Sequence, residues 1–256
     1  LQRFRAKPIE DKYKYLVLDG LWVKVKDANK LKEKVILFVL GITLDNKKEI
    51  ITFRLAKGET EEEATALLND LYRRGLEGKH LKLIASDGAK GIRAAINMVY
   101  PYAKWQLCYV HKLRNLNKHI RHKIKNRPKM MRQASKIYDS KTRRQAIERF
   151  EKFYIQWRNI EPYAVKCFKD GFFETLHYFE FAEDKNFISS TNHLERDLEE
   201  VRRRIKIQGY FKSERSANLW VYGIISQLRQ EQQPEVMPKH IVTIIREPKY
   251  ESVQLS

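Results

Sequence analysis

The sequence predicts an α/β protein in which a mixed five-stranded sheet is interrupted by an all-helical, strongly basic insertion. Three observations carry this. Short runs rich in β-branched and aromatic residues alternate with amphipathic segments up to residue 107. From Cys108 to about residue 182 strand signals vanish while helical periodicity persists. Within that stretch, from Lys112 to Lys136, positive charge accumulates without acidic relief.

The elements follow in order. Residues 12–25 (KYKYLVLDGLWVKV) read as a strand with an apolar middle, and residues 34–43 and 49–56 give two more, joined through the polar turn LDNKK. Three strands in succession predict an antiparallel meander. Thr60 opens a helix with Glu63 three residues on, a capping box; Ala64, Leu67, Leu68 and Leu71 form its apolar face and Gly75 stops it. Residues 81–86 (LKLIAS) form a fourth strand, Ile92, Ile96 and Val99 mark a short helix ended by Pro101, and Tyr102 to Leu107 is a fifth strand. In the insertion, Ala146, Ile147, Phe150, Phe153, Tyr154 and Trp157 have helical spacing up to Pro162. A long helix runs from about Ser190–Asn192 to Lys206, another spans Ser213 to Leu228, and a Gln-, Pro- and charge-rich tail follows. The expected divisions are 1–107 for the first part of a catalytic core, 108–184 for the basic insertion, 185–230 for the second part of the core, and 231–256 for the tail. Trp105, Trp157 and Trp220 are expected in the core.

Composition narrows the partners. The chain has 256 residues with 51 Lys+Arg against 32 Asp+Glu, a formal charge of +19. Ten of the cations fall between Lys112 and Lys136 with no acid among them: Lys112, Arg114, Lys118, Arg121, Lys123, Lys125, Arg127, Lys129, Arg132 and Lys136. Arg202, Arg203, Arg204 and Lys206 form a second cluster. Unpaired cations at this density repel one another, and a polyanion relieves the repulsion by exchanging condensed counterions for protein charge. Double-stranded DNA is the expected partner, against a merely solvated face or an anionic membrane surface, for which no Trp/Leu-rich amphipathic face is present. The longest apolar run, VILFVLGI, is too short to span a bilayer, which needs roughly 18 residues. Two cysteines, Cys108 and Cys167, give no disulfide framework and no leader segment opens the chain, so a cytoplasmic compartment is expected. An opening Leu1 is read as the start of a fragment of a longer protein.

Two carboxylates stand out. Asp19 lies mid-strand on the parity of Tyr15, Val17, Leu21 and Val23, where an ionised group needs a cationic partner or a metal. Asp87 directly follows the fourth strand in SDGAKG, where ligands collect at strand carboxyl ends; by itself it also fits a turn or N-cap. Meander, helix, strand, helix, strand is the order of an RNase H-like domain. There the first and fourth strands lie side by side, which would bring Asp19 and Asp87 to one divalent cation, with oxygen ligands favouring Mg²⁺ or Mn²⁺.

The stretches LDGLWVKV, SDGAKGI, QLCYVHKLRN with its Cys108-x-x-His111 pair, and STNHLERDLEEVRRR resemble the Mutator-type DDE transposases of bacterial and archaeal insertion sequences, over roughly residues 10–228. The resemblance implies an RNase H-like fold with a helical insertion before the last catalytic helix. It also implies a triad of Asp19, Asp87 and Glu195 holding two Mg²⁺ ions, for which Mn²⁺ substitutes. The implied activity is strand cleavage and transfer at insertion-sequence ends by a homodimer in a prokaryotic, nucleoid-associated setting. The resemblance also implies an amino-terminal DNA-binding region, which is expected to lie outside this sequence. The gap of 108 positions from Asp87 to Glu195 is long enough to hold the insertion. Glu195 has a competing role, reaching back to cap Asn192, and Glu199 one turn on is its rival as third ligand. Lys112, Arg114, Lys118, Arg121, Lys123, Lys125, Arg127, Lys129, Arg202, Arg203 and Arg204 are the expected DNA contacts, with Asn192 a further polar one. Cys108 and His111 with His119 and His122 match no zinc spacing and are expected to pack beside DNA. An RNase H-like nuclease without strand transfer, and a transposase-derived binding protein without activity, are the alternatives.

Overall fold

The computed structural model describes residues 1–28, 30–122, 124–181 and 192–232, with side chains in the last stretch described from 198 to 229. A short helix α1 (Gln2–Ala6) precedes the strands β1 (Tyr13–Asp27), β2 (Lys30–Thr43) and β3 (Lys48–Ala56). Helix α2 (Glu61–Arg73), β4 (Leu83–Ser86), α3 (Lys90–Val99) and β5 (Lys104–Leu107) complete a five-stranded mixed sheet in the order β3-β2-β1-β4-β5. The meander is antiparallel, whereas β4 runs parallel to both β1 and β5.

Each face of the sheet has its own core. Leu16, Leu18, Val35, Leu37 and Val39 pack with Leu67, Leu68 and Leu71 of α2 and Ile92 and Ile96 of α3. Alternation along the strands sends Tyr15, Val23, Val25, Phe38 and Leu40 to the other face. There they meet the helices that follow β5: α4 (Tyr109–His119), α5 (Arg127–Tyr138), α6 (Arg143–Trp157), α7 (Pro162–Lys169), a 3₁₀ turn (Phe173–Glu180), α8 (Asn192–Gln208) and α9 (Glu214–Gln232). Rings knit the helical segment together, with Phe150 and Phe172 stacked at 3.9 Å and Tyr109 and Tyr138 at 4.6 Å.

Some local expectations are corrected. The β1–β2 hairpin runs on to Asp27 and Lys30, beyond the apolar run, because ladder hydrogen bonds continue where both faces are wet. Thr60 does cap α2, accepting from the Glu63 N–H at 3.3 Å, yet the Glu63 carboxylate turns to Arg54 Nε at 2.9 Å instead of returning to Thr60. A guanidinium is the stronger partner for a carboxylate than a neutral N–H. Trp220, expected in the core, is 46% exposed beside Ile207 and Leu219. Among the described residues no helix is long and apolar enough to cross a membrane.

Candidate functional site

The site is built where β1 and β4 run side by side. Leu18 pairs with Ser86, so Asp19, within β1, and Asp87, just past the end of β4, stand at the same level. The sequence-predicted pair is therefore brought together by parallel pairing. Asp19 is buried, facing the helical layer. Arg202 Nη2 of α8 donates to its Oδ2 at 2.5 Å, and His111 Nε2 of α4 lies 3.9 Å from its Oδ1. Arg202 also donates to Glu199 Oε1 at 3.4 Å, and Glu199 in turn lies 3.6 Å from Arg114. This alternating ladder of charges links β1, α8 and α4. The Nδ1 atom of His111 is buried without a hydrogen-bond partner.

Asp87 is held by its own turn, its Oδ1 accepting from the Ala89 N–H at 3.2 Å. Burial pushes its carboxyl above the usual carboxylate range, the Ala89 N–H and His111 pull against this, and the negative charge of Asp19 adds to the rise.

A third acid, Glu59, escaped the sequence reading. It directly precedes the cap of α2 and lies over Gly20, where an added Cβ would stand 2.2 Å from Glu59 Oε1. Gly91 of α3 secures the same segment: a Cβ there would stand 2.4 Å from the Glu61 nitrogen and 3.0 Å from the Glu59 carbonyl oxygen. Burial, followed by the charges of Asp87 and then Asp19, pushes the Glu59 carboxyl up to about 7 against a hydrogen bond to Trp22. Gly20 and Asp19 are consecutive in β1, so Glu59 and Asp19 approach from opposite faces of the strand. Among the described residues no three His, Cys, Asp or Glu side chains are arranged to hold a metal ion. Glu195 and Asn192 fall on the backbone of α8, but their side chains lie outside the described residues, as does Lys123 altogether.

The basic residues divide in two. Arg114, Lys118, Arg121, Lys125, Arg127 and Lys129 are exposed, with Arg121 lying 4.2 Å over the Tyr163 ring. Lys112 is buried and donates through Nζ to the Asp170 carbonyl at the end of α7. Arg202 is turned inward on Asp19, while Arg203 and Arg204 both donate to Glu200. Cys108 is buried. The three neighbouring histidines go separate ways: His111 to Asp19, His119 to the Asn115 carbonyl and His122 to Glu161.

Comparison with known proteins places the chain among transposases. The family described as "Transposase, Mutator family" matches residues 1–234, and the chain belongs to it. It is 35% identical over 226 residues to the transposase for insertion sequence element IS256 in transposon Tn4001 of Staphylococcus aureus, covering 87% of this chain and 56% of that protein. It is 30% identical over 217 residues to the transposase for insertion sequence element ISRM5 of Rhizobium meliloti, covering 84% and 54% respectively. The chain thus spans about half the length of the curated relatives it matches. One chain of a solved simian T-cell lymphotropic virus intasome aligns at 11% identity and a TM-score of 0.25 over 63% of this chain and 48% of that one, too slight a likeness to bear on the fold.

Proposed function

We propose that the chain is the catalytic part of a DNA transposase that cuts and joins strands at insertion-sequence ends. The observation that carries this is the pairing of Leu18 with Ser86, which sets Asp19 and Asp87 at one level on adjacent parallel strands in a member of a transposase family. In this reading the sheet with α2, α3, α8 and α9 is an RNase H-like core, and residues 108–184 are the DNA-gripping insertion.

The donor set is chemically suited to Mg²⁺ or Mn²⁺, hard ions that take carboxylate oxygens. Asp19, Asp87 and Glu195 would hold them, two per site, and the ions would supply activation of the attacking oxygen and charge stabilisation at the leaving one. The chain's own residues set up the rest. Arg202 donates to Asp19 and His111 lies beside it within an apolar layer, which fixes that carboxylate in place, and the Ala89 N–H fixes the orientation of Asp87. Position 195 stands one turn before Glu199 and two before Arg202 on α8, so all three share the helix face that Arg202 turns to β1. Hydrolysis of the end phosphodiester breaks the bond from phosphorus to the 3′ oxygen and frees a 3′-OH. That hydroxyl then displaces a 3′ oxygen in a second DNA by the same in-line route. Exposed cations from Arg114 to Lys129 bind the duplex backbone. The protein works in the cytoplasm on nucleoid DNA, as a homodimer that pairs two ends.

The test incubates the chain with Mn²⁺ or Mg²⁺, a labelled duplex from the element's end bearing a free 3′-OH, and supercoiled plasmid, beside Asp87→Asn. Metal-dependent joining by the unmodified chain alone is the expected result. Nicking without joining would instead define a nuclease, and tight binding with no reaction an inactive descendant.

A further inference from the structure

Away from the carboxylates, α5 and α6 enclose an open cleft of about 200 Å³ lined by Gln133, Lys136, Arg149, Lys152, Phe153 and Gln156. No acid lines it. Lys136 and Lys152 are exposed and have no ion-pair partner among the described residues, and the nearby Glu148 is engaged by Arg144 at 3.5 Å. The Arg149 guanidinium is pinned by donating to the Lys136 carbonyl. Three cations therefore converge on a space walled below by the buried Phe153 ring.

The two glutamines give the cleft its polarity. The Trp157 indole N–H, which can only donate, gives its proton to Gln133 Oε1 at 2.6 Å. That fixes Gln133 to donate through Nε2, and it does so to Gln156 Oε1 at 2.9 Å. With its oxygen occupied, Gln156 is left to present its NH₂ group, which has no acceptor among the described residues. A buried indole thus dictates that the relay ends in a donor, beside two ammonium groups and a guanidinium. The cleft is therefore lined by three cations and a free amide NH₂, with no acidic side chain among the described residues.

We propose that this cleft is a phosphate-binding subsite for the backbone of duplex DNA, lying beyond the row of cations from Arg114 to Lys129 and continuous with it along α5. The inference rests on the reading of the chain as a DNA-binding transposase. A DNA backbone is favoured over a free phosphate or nucleotide because the cleft is open and continues along α5 through the exposed Arg132, four residues before Lys136, and Lys129, three residues before that. From Lys129 to Lys136 the helix rises about 10 Å at roughly 1.5 Å per residue, matching about three phosphates at 3.4 Å of axial rise each.

The test measures anisotropy of a labelled duplex of non-specific sequence against salt from about 50 to 200 mM, using the whole chain. Combined Lys136→Gln, Arg149→Gln and Lys152→Gln substitution should flatten the plot of log affinity against log salt by about 2 to 3, since each phosphate no longer neutralised takes about 0.9 from the slope. Gln156→Leu, which removes a donor and no charge, should weaken binding several-fold with the slope unchanged, and Gln156→Glu should weaken it by about tenfold or more. Lys152→Gln and Gln156→Leu, changed singly with thermal melting alongside, guard against misfolding of the triple variant. If the unmodified chain binds duplex with a steep salt dependence and all the variants match it, the cleft assignment falls while the transposase reading stands. If the unmodified chain binds no duplex, both fall together. If inorganic phosphate shifts Trp157 fluorescence but the variants bind DNA normally, the cleft holds only small anions and the proposal is overturned.

Discussion

Glu161 is the most buried acid outside the sheet and anchors the loop that carries Arg121 and Lys125, so it offers a sharp quantitative test. It is 1% exposed, and four donors converge on it. Its Oε2 accepts from the Arg121 N–H at 2.9 Å, and its Oε1 from the His122 N–H at 3.0 Å, the His122 ring at 3.1 Å and Asn126 Nδ2 at 2.9 Å. Burial by itself would raise this carboxyl; the hydrogen bonds from Asn126, Arg121 and His122 overturn that and hold it down at about 2. A drop of about 2.5 from the ordinary 4.5 corresponds to about 3 kcal/mol, at 1.36 kcal/mol per pKa unit. Because the folded value is the depressed one, the stabilisation is fully present above pH 4.5 and is lost as pH falls toward 2. Glu161→Gln removes the charge and turns an NH₂ group toward a donor, so it should cost about 3 kcal/mol at pH 7. For a chain of this size that lowers the melting temperature by roughly 6 to 12 °C, at 2–4 °C per kcal/mol. Thermal unfolding followed by circular dichroism at pH 7, 4 and 3 would show the gap between wild type and variant closing as the wild type loses its advantage. A gap that stays constant with pH, or one below about 2 °C at pH 7, would refute the argument that ionised Glu161 clamps the loop.

Three further predictions concern residues at and near the site. Gly91→Ala should push the 59–61 segment by about 1 Å, since the new Cβ would stand 2.4 Å from the Glu61 nitrogen. Overpacking of this kind costs about 1–3 kcal/mol, but joining activity should fall on the order of 10²-fold if Gly91 keeps Glu59 in place beside Asp87, and equal losses in stability and activity would count against that. Lys112→Met should leave the salt dependence of DNA binding unchanged and lower stability by about 1 kcal/mol through the uncapped Asp170 carbonyl, whereas Lys118→Gln should flatten the salt slope by about 0.9. Asp19→Asn should abolish cleavage and joining while duplex affinity is kept or raised, because removing a negative charge cannot weaken attraction to phosphate; a parallel loss of binding would mean that Asp19 serves the fold.

The sheet was legible because its cause is local. Alternation in KYKYLVLDGLWVKV fixed which residues of β1 face each layer, and Asp19 was conspicuous as the one carboxylate on a covered parity. Asp87 was legible from position alone, directly after a short apolar strand. Glu59 was not legible, since nothing in GETEEE separates it from its neighbouring acids and solvent-facing helix starts are commonly acidic. Its signal lies elsewhere in the chain, in two glycines whose missing side chains make room: Gly20, under the carboxylate, and Gly91, against its backbone. Lys112 and Arg202 were hidden for the converse reason. Each sits within a run of cations, and a charge run gives no hint of which member the fold turns inward.

That inward turn bears on how the site is assembled. Asp19 comes from β1, and the residues that face it, His111 and Arg202, come from α4 and α8, 92 and 183 positions away in sequence. Glu199 and Arg114 extend the ladder between the same two helices. The buried carboxylate is therefore stable only when the helical segment and α8 are both docked on the sheet, since an unpaired charge at that depth costs several kcal/mol. One consequence is coupling: docking of the insertion, which exposes the basic surface, and docking of the helix that carries position 195 are both drawn to a single acid on β1. A DNA duplex that draws Arg114 away from Glu199 would remove the last rung of the ladder and leave Glu199 with Arg202, which already donates to Asp19 as well. If DNA binds the insertion as proposed, the charge environment of Asp19 would depend on it through Arg114, Glu199 and Arg202.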